Sequence, residues 1–249
     1  MVILKPASAI KKMREAGRLS ALALKVGGEA VKPGVTTAEI DKVIYDFIMS
    51  QGATPSFLNL YGFPASACIS VNDELIHGIP GNRVIKEGDI VSIDVGACLD
   101  GYHGDNAATF VAGTASEEAL ALLDVTKQSL YKGIEMATVG HRVGDISNAV
   151  QTYCEERGYS VVREFVGHGI GRSVHEDPEV PNFGAAGHGP RLVNGMVIAI
   201  EPMINAGTRF VSTDSNGWTV RTKDGKLSAH FEHTIAITED GPIILTDPN

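Results

Sequence analysis

Cysteine is scarce in this sequence. Cys68, Cys98 and Cys154 are the only three; they lie far apart and form no C-x-x-C pair. Such a set argues against a disulfide framework or a cysteine-based zinc site, and it fits a reducing compartment. Long hydrophobic runs are lacking too. No stretch reaches the roughly 18 apolar residues of a membrane span. Met1-Val2-Ile3-Leu4 is too short for a signal peptide, and Lys5-Pro6 follows at once. The cytoplasm is therefore the expected compartment. Positive charge is in deficit: 21 Lys and Arg stand against 30 Asp and Glu, for a net charge of −9. That argues against direct nucleic-acid recognition, although brief docking on a larger assembly stays open.

What remains is an ordinary globular composition. The chain has 249 residues, 43% of them apolar, enough for a sizeable core. Ser8 to about Val31 reads as a helix, with Ile10, Met13, Leu19, Leu22 and Val26 near helical spacing. Thr36-x-x-Glu39 is a capping box opening a second helix, whose apolar face is Ile40, Val43, Ile44, Phe47 and Ile48. A third helix opens at Thr114-x-x-Glu117 with Leu120, Leu123, Leu130 and Ile134 inside, and a fourth runs from about Asp145 to Arg157. Strands are expected at Ala67–Val71, Asp89–Val95, Ala107–Val111, Ser160–Phe165, Met196–Glu201, Trp218–Arg221, Ala229–Thr238 and Ile243–Leu245.

One strand occurs twice with an acid in the same place. Gly88-Asp89-Ile90-Val91-Ser92-Ile93-Asp94 is echoed by Gly195-Met196-Val197-Ile198-Ala199-Ile200-Glu201, 107 positions later (88 to 195). Gly34, Ile40, Ile44, Phe47 and Gly52 likewise match Gly140, Ile146, Val150, Tyr153 and Gly158, 106 positions later (34 to 140). This predicts an internal duplication about a pseudo-twofold axis. No linker separates the halves, about 1–113 and 114–249, so residues 1–249 read as a single domain.

A second acid follows each of these strands. Asp105 lies in His103-Gly104-Asp105-Asn106 and Glu232 in His230-Phe231-Glu232-His233. The longer gap before Glu232 would hold a hairpin, Thr208 to Lys226, carrying the only tryptophan, Trp218. His168 sits among glycines in Gly167-His168-Gly169-Ile170-Gly171. Singly, each acid reads as a turn residue or salt-bridge partner, and His168 as a core histidine. Together they give four carboxylates and one imidazole, which match the charge of two divalent cations. Without cations, converging carboxylates would repel one another and bind protons. Oxygen donors with one histidine and no thiolate suit Mn, Fe or Co, and can hold Zn. His77 and His175 stand in loops; each is either an exposed side chain or a group that hydrogen-bonds substrate. Cys68, within an apolar strand, reads as a wall residue rather than a nucleophile.

With these residues assembled, the chain resembles the type I methionine aminopeptidases over essentially its whole length. The matching motifs are His77-Gly78-Ile79-Pro80, Ile93-Asp94-Val95-Gly96, Gly104-Asp105, Gly167-His168-Gly169-Ile170-Gly171 with His175-Glu176, Ile200-Glu201-Pro202 and Phe231-Glu232-His233-Thr234. The resemblance implies the α+β pita-bread fold, an internally duplicated antiparallel sheet covered by helices. It implies two divalent metals on Asp94, Asp105, His168, Glu201 and Glu232, with Asp105 and Glu232 bridging. Glu201 would also be the general base and then acid, His175 would bond the scissile carbonyl oxygen, and His77 would contact an amide nitrogen. Phe63, Cys68 and Trp218 would line a methionine pocket; Leu60 and Val174 depart from the family's aromatic pattern there. The implied substrates are peptides and nascent chains that begin with methionine and carry a small second residue. A monomer in transient contact with the ribosome, of the short, bacterial-like form, is expected. The alternatives are an Xaa-Pro peptidase of the same fold and a non-catalytic peptide-binding relative.

Overall fold

The computed structural model describes residues 1–249. In the first half, α1 (Ala7–Ala30) and α2 (Thr37–Ser50) precede β1 (Thr54–Pro55), β2 (Ala67–Val71), β3 (Glu74–Ile76), β4 (Ile90–Leu99) and β5 (Tyr102–Val111). In the second, α3 (Glu117–Glu135) and α4 (Val143–Glu155) precede β6 (Ser160–Val161), β7 (Gly167–Gly169), β8 (Glu176–Val180) and β9 (Val197–Ile200). The chain closes with β10 (Met203–Asn205), β11 (Val211–Thr213), β12 (Val220–Thr222), β13 (Ser228–His230), β14 (Glu232–Thr238) and β15 (Gly241–Ile244).

The main sheet runs β1-β4-β5-β14-β9-β7-β8, with β2 also on β4 and β15 also on β14. Reading outward from the central β5–β14 pair, each half presents the same two-strand arm: β5 then β4, or β14 then β9. The duplication extends to the backbone. Gly34 N donates to Ile85 O (2.8 Å) and Gly140 N to Leu192 O (3.2 Å), and both glycines have φ of 94°. Isolated bridges tie Thr36 to Val84 and Arg142 to Arg191. Each half has its own apolar core. α1 and α2 cover β2 and β4 with Ile40, Ile44, Ile48, Ile69 and Ile93, and α3 and α4 cover β9 and β14 with Leu122, Leu130, Ile146, Ile198 and Ile235.

Helix α1 lies on the sheet through small residues. A Cβ on Gly104 of β5 would fall 2.4 Å from the Gly17 Cα, so only glycine allows this approach. The Thr36/Glu39 capping box is present at α2. At α3 the cap is Ser116, whose hydroxyl accepts from Ala119 N, rather than Thr114. The helix buries the face of Ala119, Leu122, Val125 and Thr126, which leaves Leu120 50% exposed and reverses the expectation for it. Strand β5 starts at Tyr102, earlier than predicted, because the β4–β5 ladder runs unbroken down to Leu99 and Tyr102. The expected strand at Ser160–Phe165 is only β6, and Phe231 divides the one at Ala229–Thr238. Trp218 lies outside β12: Asn216 Oδ1 accepts from Trp218 N and Thr219 N (both 2.9 Å) and turns the chain there.

Candidate metal centre and substrate cavity

Sheet register explains how distant acids meet. Asp94 on β4 pairs with Ala107 on β5, and Ala107 pairs with Glu232 on β14. Asp105 is two residues from Ala107 and therefore points to the same face. Glu201 follows β9, whose Ile200 pairs with His233 beside Glu232. His168 comes from β7, which pairs with β9 through Gly169 and Ile198. Ligand atoms of Asp105, His168 and Glu232 all lie within 4.8 Å of one another.

The histidine is oriented by its own strand. His168 Nδ1 is 2.9 Å from the Gly169 carbonyl, which can only accept, so Nδ1 carries the proton and Nε2 presents its lone pair. Nε2 lies 3.5 Å from Glu201 Oε1 and 3.8 Å from Asp105 Oδ2. Thr234 fixes the Asp105 backbone: its hydroxyl donates to Asp105 O (2.8 Å) and accepts from Asp105 N (3.2 Å).

The electrostatics are those of a site built for cations. Asp94 Oδ1, Asp105 Oδ1 and Glu232 Oε1 are buried without a hydrogen-bond partner. Burial pushes the Asp94 carboxyl up to about 7. Burial, followed by the charges of neighbouring acids, holds Asp105, Glu201 and Glu232 well above the usual carboxylate range. The same burial drops His168 to about 4. No Lys or Arg pairs with any of these acids. Unpartnered oxygens and one exposed imidazole lone pair, with no thiolate, are a donor set that fits divalent cations.

The acids open into a cavity of about 620 Å³. Its apolar side includes Leu60, Phe63, Cys68, Phe165 and Trp218. Phe63 and Trp218 meet edge-on at 5.2 Å between ring centroids. Burial, reinforced by the charge of Asp94, pushes the Cys68 thiol well up and keeps it a neutral wall residue. Val174 packs with Phe63 and Cys68 behind the wall. His77 follows β3 with φ of 56° and lies edge-on to Trp218 and Phe165. Burial lowers it to about 4, so it is neutral. His175 is 4.5 Å from His168 between ring centroids, and burial lowers it too. All ten predicted site residues therefore line this one cavity.

The model of metallopeptidase family M24 matches residues 11–239. The chain belongs to metallopeptidase family M24. Within M24 it stands among the methionine aminopeptidases. It is 58% identical over 246 residues to the methionine aminopeptidase of Clostridium perfringens, and 55% identical over 246 residues to methionine aminopeptidase 1 of Bacillus subtilis. Each alignment covers 99% of both chains. The crystal structure of methionine aminopeptidase from Rickettsia prowazekii superposes with a TM-score of 0.98 at 44% identity, covering 99% of this chain and 100% of that one. Prolidase from Pyrococcus furiosus shares the fold, with a TM-score of 0.80 at 24% identity over 99% of this chain and 66% of that one. The architecture is thus the pita-bread fold, and M24 membership implies a divalent metal. No helix is long and apolar enough to cross a membrane.

Two residues escaped the sequence reading: one packed behind the acids and one on the cavity wall. His230 is fully buried; its Nε2 lies 3.7 Å from Glu201 Oε2, and neither ring nitrogen has a hydrogen-bond partner. Burial lowers it to about 3. Its one sequence signal is spacing, two positions before Glu232 in an extended segment. Tyr61 at the rim stacks on His175, with centroids 5.7 Å apart and planes 10° apart. Nothing in the local sequence marks it.

Proposed function

We propose that this chain hydrolyses the first peptide bond of polypeptides that begin with methionine. The observation that carries this reading is one cavity with two unlike sides. On one are four acids beside His168, three of them with a buried oxygen that has no hydrogen-bond partner; on the other is the apolar wall of Phe63, Cys68 and Trp218. An unbranched thioether side chain suits that wall, and a free amine suits the acids.

In this reading Asp94, Asp105, His168, Glu201 and Glu232 would hold two divalent cations. The ions are Co, Mn, Fe or Zn. When bound, they polarise the scissile carbonyl and acidify a water. The chain's own groups do the rest. Glu201 accepts a proton from the attacking water and returns it to the leaving amine. His175 donates a hydrogen bond to the carbonyl oxygen as negative charge develops there. His77 contacts the amide nitrogen of the scissile bond or of the next residue. Phe63, Cys68 and Trp218 hold the methionine side chain. Crowding around the scissile bond favours a small second residue. Residues 1–249 work as one catalytic domain, a cytoplasmic monomer that meets nascent chains in brief contact with the ribosome.

The deciding experiment offers Met-Ala-Ser and an Xaa-Pro peptide to manganese-loaded protein and identifies the products by mass spectrometry. Free methionine from Met-Ala-Ser is expected. Cleavage of the Xaa-Pro bond with Met-Ala-Ser left intact would overturn the reading.

A further inference from the structure

His175 is followed by Glu176, whose carboxylate is buried, its side chain 9% exposed. One oxygen, Oε2, pairs with the ammonium of Lys5, a side chain only 6% exposed. The other, Oε1, accepts from Arg172 N (2.9 Å) and Ser173 N (3.2 Å). Gly171 N closes the same turn on Ser173 O (3.0 Å). The turn connects β7, which bears His168, to β8, so one carboxylate ties down the backbone immediately before His175.

Lys5 is anchored in its own right. Its Nζ also donates to Ile3 O (2.9 Å), and its backbone N donates to Gly195 O (2.7 Å), just before β9. Position 171 is shaped around the pair: a Cβ there would lie 2.5 Å from Lys5 Cε and 2.6 Å from Glu176 Oε1. The His175 ring has only soft partners, the stacked Tyr61 and the edge of His168. Its Nδ1 is 3.4 Å from Tyr61 Oη. The ring contacts do not fix where the backbone places the imidazole. The Glu176 carboxylate does.

We propose that the Lys5–Glu176 pair is a positioning device for His175. Burying an ion pair adds little net stability, whereas breaking one leaves an uncompensated charge. Here the charge holds a turn in one shape, and a hydrogen bond to a developing oxyanion is sensitive to small displacements. The inference rests on His175 acting as that donor.

The test compares four manganese-loaded proteins on Met-Ala-Ser: wild type, Lys5→Met, His175→Ala and the double variant. Lys5→Met is expected to lower kcat about tenfold with KM within about twofold, and Lys5→Arg to recover most of the loss. In the His175→Ala background, Lys5→Met should cause no further loss of kcat. Wild-type kcat in Lys5→Met, or losses that multiply in the double variant, would overturn the inference while leaving the role of His175 intact. Wild-type kcat in His175→Ala would overturn that role and the inference with it. If Lys5→Met does not fold, Lys5→Met/Glu176→Leu carries the same comparison, since it leaves no buried charge and takes the acceptor away from the two N–H groups.

Discussion

Two clusters of acids in this molecule use the same residue types and end in opposite states. On the β3–β12 ladder, Asp73, Glu74 and Asp214 surround Arg221: its Nε is 2.7 Å from Asp214, its Nη2 2.6 Å from Glu74 and its Nη1 3.1 Å from Asp73. Arg83 adds a second cation to Glu74 at 2.7 Å. In the cavity, Asp94, Asp105, Glu201 and Glu232 have no cationic side chain, and three of their oxygens have no partner. Acids with resident cations hold structure; acids without them hold a place for cations from solution. The Arg221 cluster also serves the cavity. Arg221 and Glu74 lie on paired strands β12 and β3, Trp218 precedes the first, and His77 follows the second.

The comparison breaks most visibly at Glu201. Glu201→Ala should lower kcat on Met-Ala-Ser by about 10²–10⁴-fold, the range for a lost general base, with the protein still folded by circular dichroism. Near-wild-type turnover in metal-replete protein would sink its assigned role. In the paired cluster, Arg221→Met should act on stability instead. It strands Asp73 and Asp214 and leaves Arg83 alone on Glu74. The guanidinium is about a third exposed, so the expected loss is about 1–3 kcal/mol in urea unfolding. KM should rise as Trp218 and His77 shift, and an unfolding midpoint equal to wild type would show that the cluster is ornamental.

A pH series sharpens the contrast. Asp94 ordinarily titrates near 3.8, and the fold raises it to about 7. Between those values the folded state binds more protons than the unfolded one, so metal-free stability falls as pH rises through about 7. Added Mn²⁺ should reverse this trend, because it binds the deprotonated site and releases protons. A metal-free melting temperature that rises from pH 5 to pH 7.5 would contradict the assignment. The smallest effect is expected at Cys68→Ala: kcat near wild type and KM raised by less than about tenfold, as for a trimmed pocket wall. A collapse of kcat would make the thiol chemical after all.

Much of this was legible because duplication repeats its own signal. The acid after Ile93 and the acid after Ile200 mark one another, and glycines on both sides of His168 mark a close backbone approach. The capping box at Thr36 and Glu39 is local and is present as read. Features that depend on chain separation were not legible. Lys5 and Glu176 are 171 residues apart, and no local pattern links them. His230 looks like any histidine until β13 places it against Glu201. Leu120 is exposed because the helix docks through the face of Ala119, Leu122, Val125 and Thr126, and which face packs is decided by the sheet beneath it. Trp218 falls short of β12 because the Asn216 side chain captures two backbone N–H groups, a competition that strand propensity does not register.

An unpaired cluster that takes its cations from solution, unlike the Arg221 cluster, works only when it has them. The direct measurement is methionine release from Met-Ala-Ser as Mn²⁺ is titrated into chelator-stripped protein. Turnover absent without metal and rising to a plateau with added Mn²⁺ is the predicted result. Full turnover in the presence of chelator, or none at saturating Mn²⁺, would show that the four acids do not work through cations.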